Sequence, residues 1–219
     1  MKIQNSIYVL LYLFFTSCVS SIPMSQNFYK STKVGIILQV DSIGLYRTGA
    51  QGLLDIALTM GNKYRQPLKN VETVVNPTEK LKLEIAKVLQ AKNKQYDFIE
   101  ENIDFNKIKK FEKTGEGKFY NKDIREFKAK YNIDEVMIIK VNYGLLVSYY
   151  SMIEIGWQGQ AVISNSVVDL NNNALLFQDR VAALEKLKGK WNTPPDYQNL
   201  TNAIQNAINK CLTLQKTKL

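Results

Sequence analysis

The side chains of this 219-residue chain that could do chemistry are carboxylates, lysines, aromatics and two cysteines, because the sequence contains no histidine. That absence removes Ser-His-Asp and Cys-His catalysis and every histidine-ligated metal site. Asp41, Asp55, Asp134, Glu135, Glu154, Asp169 and Asp179 are the acids that invite a catalytic reading. No two of them fall at a spacing that a named mechanism requires. Asp41 and Asp134 read as strand-end residues, and Asp169 as part of a turn. No Ser-x-x-Lys nucleophile stands out, so no catalytic residue, metal ligand or cofactor is assigned. The aromatics are the better lead: Tyr143, Tyr149, Tyr150, Trp157 and Trp191 form a candidate interaction surface of the kind enriched where proteins meet. The competing reading is that they complete a core. Cys211 falls on an apolar helical stripe and reads as a small buried hydrophobe rather than a reactive thiol.

A composition of 45% hydrophobic and 22% charged residues describes an ordinary globular chain that can hold these side chains in place. The formal charge of +9 permits a polyanionic partner such as lipopolysaccharide phosphates or anionic head groups. The lysines are dispersed without a run of five or more, and nucleic acid is not expected as a partner.

Residues 1–18 carry Lys2, an apolar block from Ile7 to Phe15, and then Thr16-Ser17-Cys18. A bilayer-spanning helix needs about 20 apolar residues, so this block suits the core of a signal peptide instead. Small residues ending in a cysteine resemble the lipobox of bacterial lipoproteins, with Phe15 standing where that family usually has Leu. The resemblance covers residues 1–18 and implies cleavage before Cys18, acylation of its thiol with a diacylglycerol group, and anchorage to a membrane through the lipid. An ordinary secretory signal cut near Ser20-Ser21, or an uncleaved anchor, are the alternatives. A thiol closing the apolar core is an unusual choice for a signal that merely secretes. Val19 and Ser20 carry no acidic residue, which in such lipoproteins favours the outer over the inner membrane, with the domain facing the periplasm. The organisation expected is a signal peptide over 1–17, a lipidated Cys18 with a flexible tether over 18–32, and one globular domain over 33–219. Without the signal, roughly 200 residues remain, enough for one full core.

Within that domain, residues 33–40 read as a buried strand, 41–52 as a glycine-bearing loop, and Leu53–Leu58 as a helix. The loop lacks the Lys-Ser/Thr pair of a phosphate-binding loop, and its glycines read as turn residues. Gly61 to Val75, holding Pro67, reads as a loop with a short strand at 71–75. Asn76-Pro77 opens a helix whose apolar face carries Leu81, Ile85, Val88 and Leu89. A strand at 96–99, a short helix from Asp104 through Phe111 and an amphipathic helix carrying Ile124, Phe127 and Tyr131 follow. The densest strand-forming run, residues 133–180, reads as an antiparallel meander, with Ile153, Ile155, Trp157, Ala161 and Ile163 on one alternating face. Asn171-Asn172-Asn173 supplies the positive φ that its second turn needs. Leu200 to Leu212 forms a helix with a clean apolar stripe.

The run from Tyr131 through Val141 and the segment Val167-Val168-Asp169-Leu170 to Phe177 resemble the α/β domain shared by the TolB N-terminal region, the curli-secretion lipoprotein and the lipoprotein activators of penicillin-binding proteins. The resemblance spans residues 121–180 and carries no binding residue over. The fold expected is α+β, an α/β sandwich with a mixed, largely antiparallel sheet, a C-terminal meander and about three to four flanking helices. The function expected is a membrane-anchored envelope lipoprotein that binds another envelope protein or a glycan without catalysing a reaction. The alternatives are a periplasmic enzyme working with carboxylates and a basic module binding outer-membrane phosphates. The oligomeric state is not legible.

Overall fold

The computed structural model describes residues 21–30, 33–59, 61–113 and 115–219, so Cys18 and the apolar block lie outside the described residues. The fold is α+β, with one six-stranded mixed sheet. Its strands are β1 (Lys33–Val40), β2 (Gly44–Ala50), β3 (Gln95–Phe98), β4 (Glu135–Tyr150), β5 (Ile153–Asp169) and β6 (Leu175–Lys186). Helices α1 (Leu53–Thr59), α2 (Arg65–Val74), α3 (Pro77–Ala91), α4 (Phe127–Tyr131) and α5 (Gln198–Lys216) complete it. The strand order is β3-β1-β4-β5-β6. The meander β4-β5-β6 is antiparallel, while β1 and then β2 run parallel to successive halves of β4.

The 16-residue β4 is the spine because every second side chain faces a helix layer that buries it. Its odd positions, Met137 through Tyr149, lie in one core with Leu81, Ile85 and Leu89 of α3 and the apolar stripe of α5. Helix α5 can lie close because position 159 is glycine: a Cβ there would sit 2.2 Å from Ala203 O. A second, smaller core on the opposite face joins Ile37, Val136 and Ile138 to Phe105, Ile124 and Phe127 from the long connection before β4. That connection covers only the first third of β4, and beyond it Lys140, Asn142, Leu146, Ser148 and Tyr150 alternate outward, half-buried or exposed.

Several expectations need correction. The glycine-bearing segment after β1 is a strand, not a loop: Gly44 and Gly49 belong to β2, and its backbone comes close to β4 because a Cβ is missing at Gly49 (φ 109°), where it would fall 2.0 Å from Tyr149 O, and at Gly144 of β4, where it would fall 1.9 Å from Gly44 O. Residues 65–74 are helical, not a loop with a strand. Pro67 sits in the first turn, where its missing N–H is not needed, and Leu68 and Val71 form the buried stripe. Residues 104–111 make turns instead of a helix, and the helix expected from Asn121 is confined to Phe127–Tyr131. Asn76 does cap α3, its side chain accepting from Thr78 N at 3.0 Å. Asn173 does adopt positive φ, at 64°. Its buried side chain also ties down the preceding connection, donating to Tyr120 O and Lys122 O and accepting from Ile124 N.

The tether expected over 18–32 is not free across its described part. Ile22 and Gln178 exchange backbone hydrogen bonds of 2.7 and 3.0 Å, and Ser25 N donates to Leu176 O at 3.0 Å. Phe28 is fully buried in the main core. The carbonyl of Phe28 accepts from Lys94 Nζ, which is itself buried 2.7 Å from Glu135 Oε2. An aromatic side chain in a polar stretch was the signal that this segment folds back on the sheet.

Candidate functional site at the free end of the sheet

The β4-β5 hairpin and α1 together form one end of the molecule. They are stitched at the turn, where Ser151 N donates to Ala50 O (2.7 Å), Gln51 Nε2 to Ser151 O (3.0 Å) and Ser151 Oγ to Asp55 Oδ2 (3.2 Å). Helix α1 buries none of its residues. Leu53, Leu54 and Leu58 on α1, with Tyr150, Met152, Ile153 and Ile155 on the hairpin, are between 53% and 89% exposed. Together they present on the order of several hundred Å² of apolar surface, around the upper range for a patch on an unpartnered monomer.

A register shift between Ser148 and Tyr149 creates this patch. Without it, Ile153 and Ile155 would share the helix-covered face with Trp157, as their alternation in the sequence predicts. With it, Glu154 pairs with Tyr149 on the covered face and both isoleucines are exposed. The shift leaves Ile155 without a register partner, and Glu154, brought opposite Tyr149, is well provided for. Tyr149 OH donates to its Oε1 at 3.0 Å and Lys63 Nζ lies 2.7 Å away. Burial pushes the Glu154 carboxyl up, but hydrogen bonds from Lys63, Tyr64 and Tyr149 outweigh that and hold it below the usual carboxylate range. Arg47 stacks 5.0 Å from the Tyr149 ring centre and donates twice to Thr59, each bond 2.6 Å, which fixes the far end of α1. Below, Trp157 Nε1 donates to Tyr64 OH at 2.9 Å and Trp191 packs 4.6 Å from the Tyr64 ring. Burial raises the Tyr64 hydroxyl pKa well above its ordinary value.

The five aromatics expected to form one surface are therefore divided. Tyr143 and Tyr149 are core residues, Trp157 and Trp191 are half-buried against Tyr64, and Tyr150 alone of the five stands exposed. Tyr143 and Tyr149 sit on the helix-covered face because odd positions of β4 point there, and Tyr150 is the even one. The exposed aliphatics were missed, although Leu53-Leu54 and Leu58, in a short helix bounded by Gly52, carried a readable signal.

The acids do not assemble a catalytic centre. Asp55 is spent on Gly52 N and Ser151, Asp134 on Lys128, Glu135 on Lys94, and Asp169 on the amides of Asn171. Asp179 pairs in register with Asn165 on the helix-covered face. A polar cleft of about 530 Å³ at the carboxyl ends of β1 and β3 gathers Asp41, Glu100 and Glu101. Each is already engaged: Asp41 accepts from Asn142, Glu100 sits 2.9 Å from Lys82, and Lys130 and Tyr131 hold the Glu101 carboxyl below its ordinary range. Among the described residues no group of three acids or thiols is placed to hold a metal ion. None of their helices is long and apolar enough to cross a membrane.

No family model matches the chain, and no curated protein matches it either. Solved structures do. The chain is similar to a putative neuraminyllactose-binding hemagglutinin homolog from Helicobacter pylori, at 13% identity and a TM-score of 0.38 over 94% of this chain and 90% of that one. It is similar to PelC from Paraburkholderia phytofirmans, solved as a dodecamer, at 10% identity and a TM-score of 0.34 over 89% and 92%. It is also similar to lipoprotein GNA1162 from Neisseria meningitidis, at 13% identity and a TM-score of 0.28 over 81% and 99%. At these identities and overlaps, function has to be argued from the chain's own residues.

Proposed function

We propose that this protein is a lipid-anchored protein of the bacterial cell envelope that acts by binding another envelope component through the apolar end formed by α1 and the β4-β5 hairpin. The observation that carries the reading is the exposure of seven large apolar side chains on a substructure that hydrogen bonds hold in place. The lipobox-like ending at Cys18 supplies the anchor. Only Val19 and Ser20 separate that cysteine from Ser21, so the link spans at most about 10 Å. Ile22 joins the sheet at Gln178, in register with Ser166 and then Ile138. From Ile138 to Tyr150, β4 runs about 40 Å. An anchor at Cys18 thus holds one end of the sheet against the lipid surface and projects the apolar end away from it, toward a partner outside that membrane. Carboxylate catalysis is the weaker reading, because the acids of the cleft are already paired.

Two measurements test this. Radiolabelled palmitate enters the wild-type chain and not Cys18→Ser; equal labelling of both removes the anchor. A photo-crosslinker at position 155, in the full lipidated chain in its native envelope, captures a defined adduct that Leu54→Glu abolishes without lowering the melting temperature. The same adduct from a crosslinker at exposed Leu83, on α3, would remove the apolar end as the binding surface.

A further inference from the structure

The cleft at the carboxyl ends of β1 and β3 has a property that its paired acids do not use. Strand β3 accompanies β1 only from Lys33 to Ile36, and the last bond between them is Ile99 N to Ile36 O at 2.9 Å. Strand β1 continues four residues further with no strand on that side. Its odd residues turn their backbone groups to β4, as Asp134 N to Lys33 O and Asp41 N to Val141 O show. The even residues Leu38 and Val40 must then turn the other way, since backbone groups alternate along a strand. Among the described residues no backbone group meets them on that side. An edge of this kind is a template for another strand, and proteins commonly block it with proline, a bulge or a covering loop. Here it is recessed and left open: it floors the cleft, between the 99–103 segment and the start of α3 at Thr78 and Lys82. The ion pair between Lys82 and Glu100 links these two walls, and an exposed pair of this sort contributes little to keeping them together.

We propose that this edge receives an extended segment of a partner protein as an added strand, bonded to the backbone of Leu38 and Val40. Its side chains would alternate between two environments. One is set by Thr78, Lys82 and Phe98. The other is set by Lys140 on the half-covered face of the sheet, flanked by Gln39, whose Nε2 donates to Ile103 O at 3.2 Å, and by Asn142, which donates to Asp41, so that Lys140 is left as the uncommitted charge. Lys140 is exposed, lies 5.3 Å from the Phe105 ring centre, and makes no ion pair with a described residue. The segment that fits is therefore extended, carries an acidic side chain opposite Lys140, and places small or β-branched residues at its other positions. This site is separate from the apolar end and stands whether or not that end binds a partner.

The test uses the full-length chain and a phage-displayed library of random nine-residue peptides. Enrichment of an acid-bearing, β-branched family is expected. A synthetic member should slow exchange of the Leu38 and Val40 amides at least tenfold. Its affinity should fall about tenfold in Lys140→Glu, the size of one lost charge-assisted contact, and the same library panned on that variant should yield basic peptides instead. Val40→Pro, which removes one of the bonding amides, should abolish binding. The proposal is overturned if no such family is enriched, if Lys140→Glu selects the same peptides, or if the two amides are protected instead by concentration-dependent pairing with a second copy.

Discussion

Replacing Phe28 by alanine decides whether residues 21–30 are a tether or part of the folded body. The ring is fully buried and edge-on to Tyr29 at 5.0 Å, and Lys94 Nζ lies 4.4 Å from its centre. Removing a buried phenylalanine costs about 3–5 kcal/mol, from lost transfer and the cavity left behind. The adjoining Lys94–Glu135 pair is almost dry, with side chains 0% and 5% exposed, so disturbing the segment that lids it adds to that cost. Taking about 4 kcal/mol, and about 2–4 °C per kcal/mol for a chain of this size, the melting temperature should fall by roughly 8–16 °C. Gln26→Ala, at an exposed position of the same segment, should shift it by no more than about 2 °C, corresponding to the ±0.5 kcal/mol typical of surface changes. Differential scanning calorimetry on the chain from Val19 onward measures both. If Phe28→Ala is as silent as Gln26→Ala, the segment is not packed on the sheet, and the short link between anchor and body argued above fails with it.

Three other outcomes follow from the packing. Gly159→Val should lower the urea midpoint by the equivalent of about 3 kcal/mol, because a side chain at Ala203 O forces α5 away, whereas Gly156→Ala, whose nearest neighbour would be 3.8 Å away, should cost less than about 0.5 kcal/mol. Glu154 is held below its ordinary carboxylate pKa in the folded state, so its contribution is complete above about pH 4.3 and is lost as the pH falls through the folded value. Glu154→Gln should therefore be less stable than wild type at pH 7, with the gap closing as thermal melts are taken below pH 4; a gap that is constant with pH refutes the assignment. Cys211 is buried with its Sγ 3.1 Å from Ala161 O, and burial pushes the thiol up to about 11. In a Cys18→Ser background, a disulfide-exchange dye at pH 8 should label it only at the rate of global unfolding.

The sequence was most legible where one periodicity ran unbroken. Strand β4 is a long, dense run of strand-forming residues, α5 keeps a helical stripe for thirteen residues from Leu200 to Leu212, and Asn76-Pro77 has no other sensible use than to open α3. It was least legible where one residue served two masters. Pro67 reads as a helix breaker and is harmless in a first turn. Gly44 and Gly49 read as turn glycines, yet both lie in a parallel strand, and Gly49 with Gly144 of β4 lets the two backbones come unusually near. The candidate aromatics Tyr143, Tyr149, Tyr150 and Trp157 illustrate the same limit: their place on or next to the meander was readable, but which face each would take depended on a register that only the assembled sheet sets.

The register shift at Ser148/Tyr149 is where fold and function meet. Stability alone would favour an uninterrupted alternation, with Ile153, Ile155 and Trp157 all beneath the helix layer and Glu154 in solvent. The protein does the reverse: it half-buries a carboxylate, supplies Lys63, Tyr64 and Tyr149 to satisfy it, and turns two isoleucines out beside Tyr150 and Met152. Each buried isoleucine would contribute about 1.5–3 kcal/mol to folding, whereas the Lys63–Glu154 pair, with side chains 51% and 14% exposed, is of the partly solvated kind worth about 1 kcal/mol or less. The bulge therefore forgoes several kcal/mol of folding free energy. A folded body that gives up stability at one end of its longest hairpin, while tying that end to a helix with no buried residue, is what the proposed binding role requires, because only contacts made in another molecule would recover what the isolated fold forgoes there.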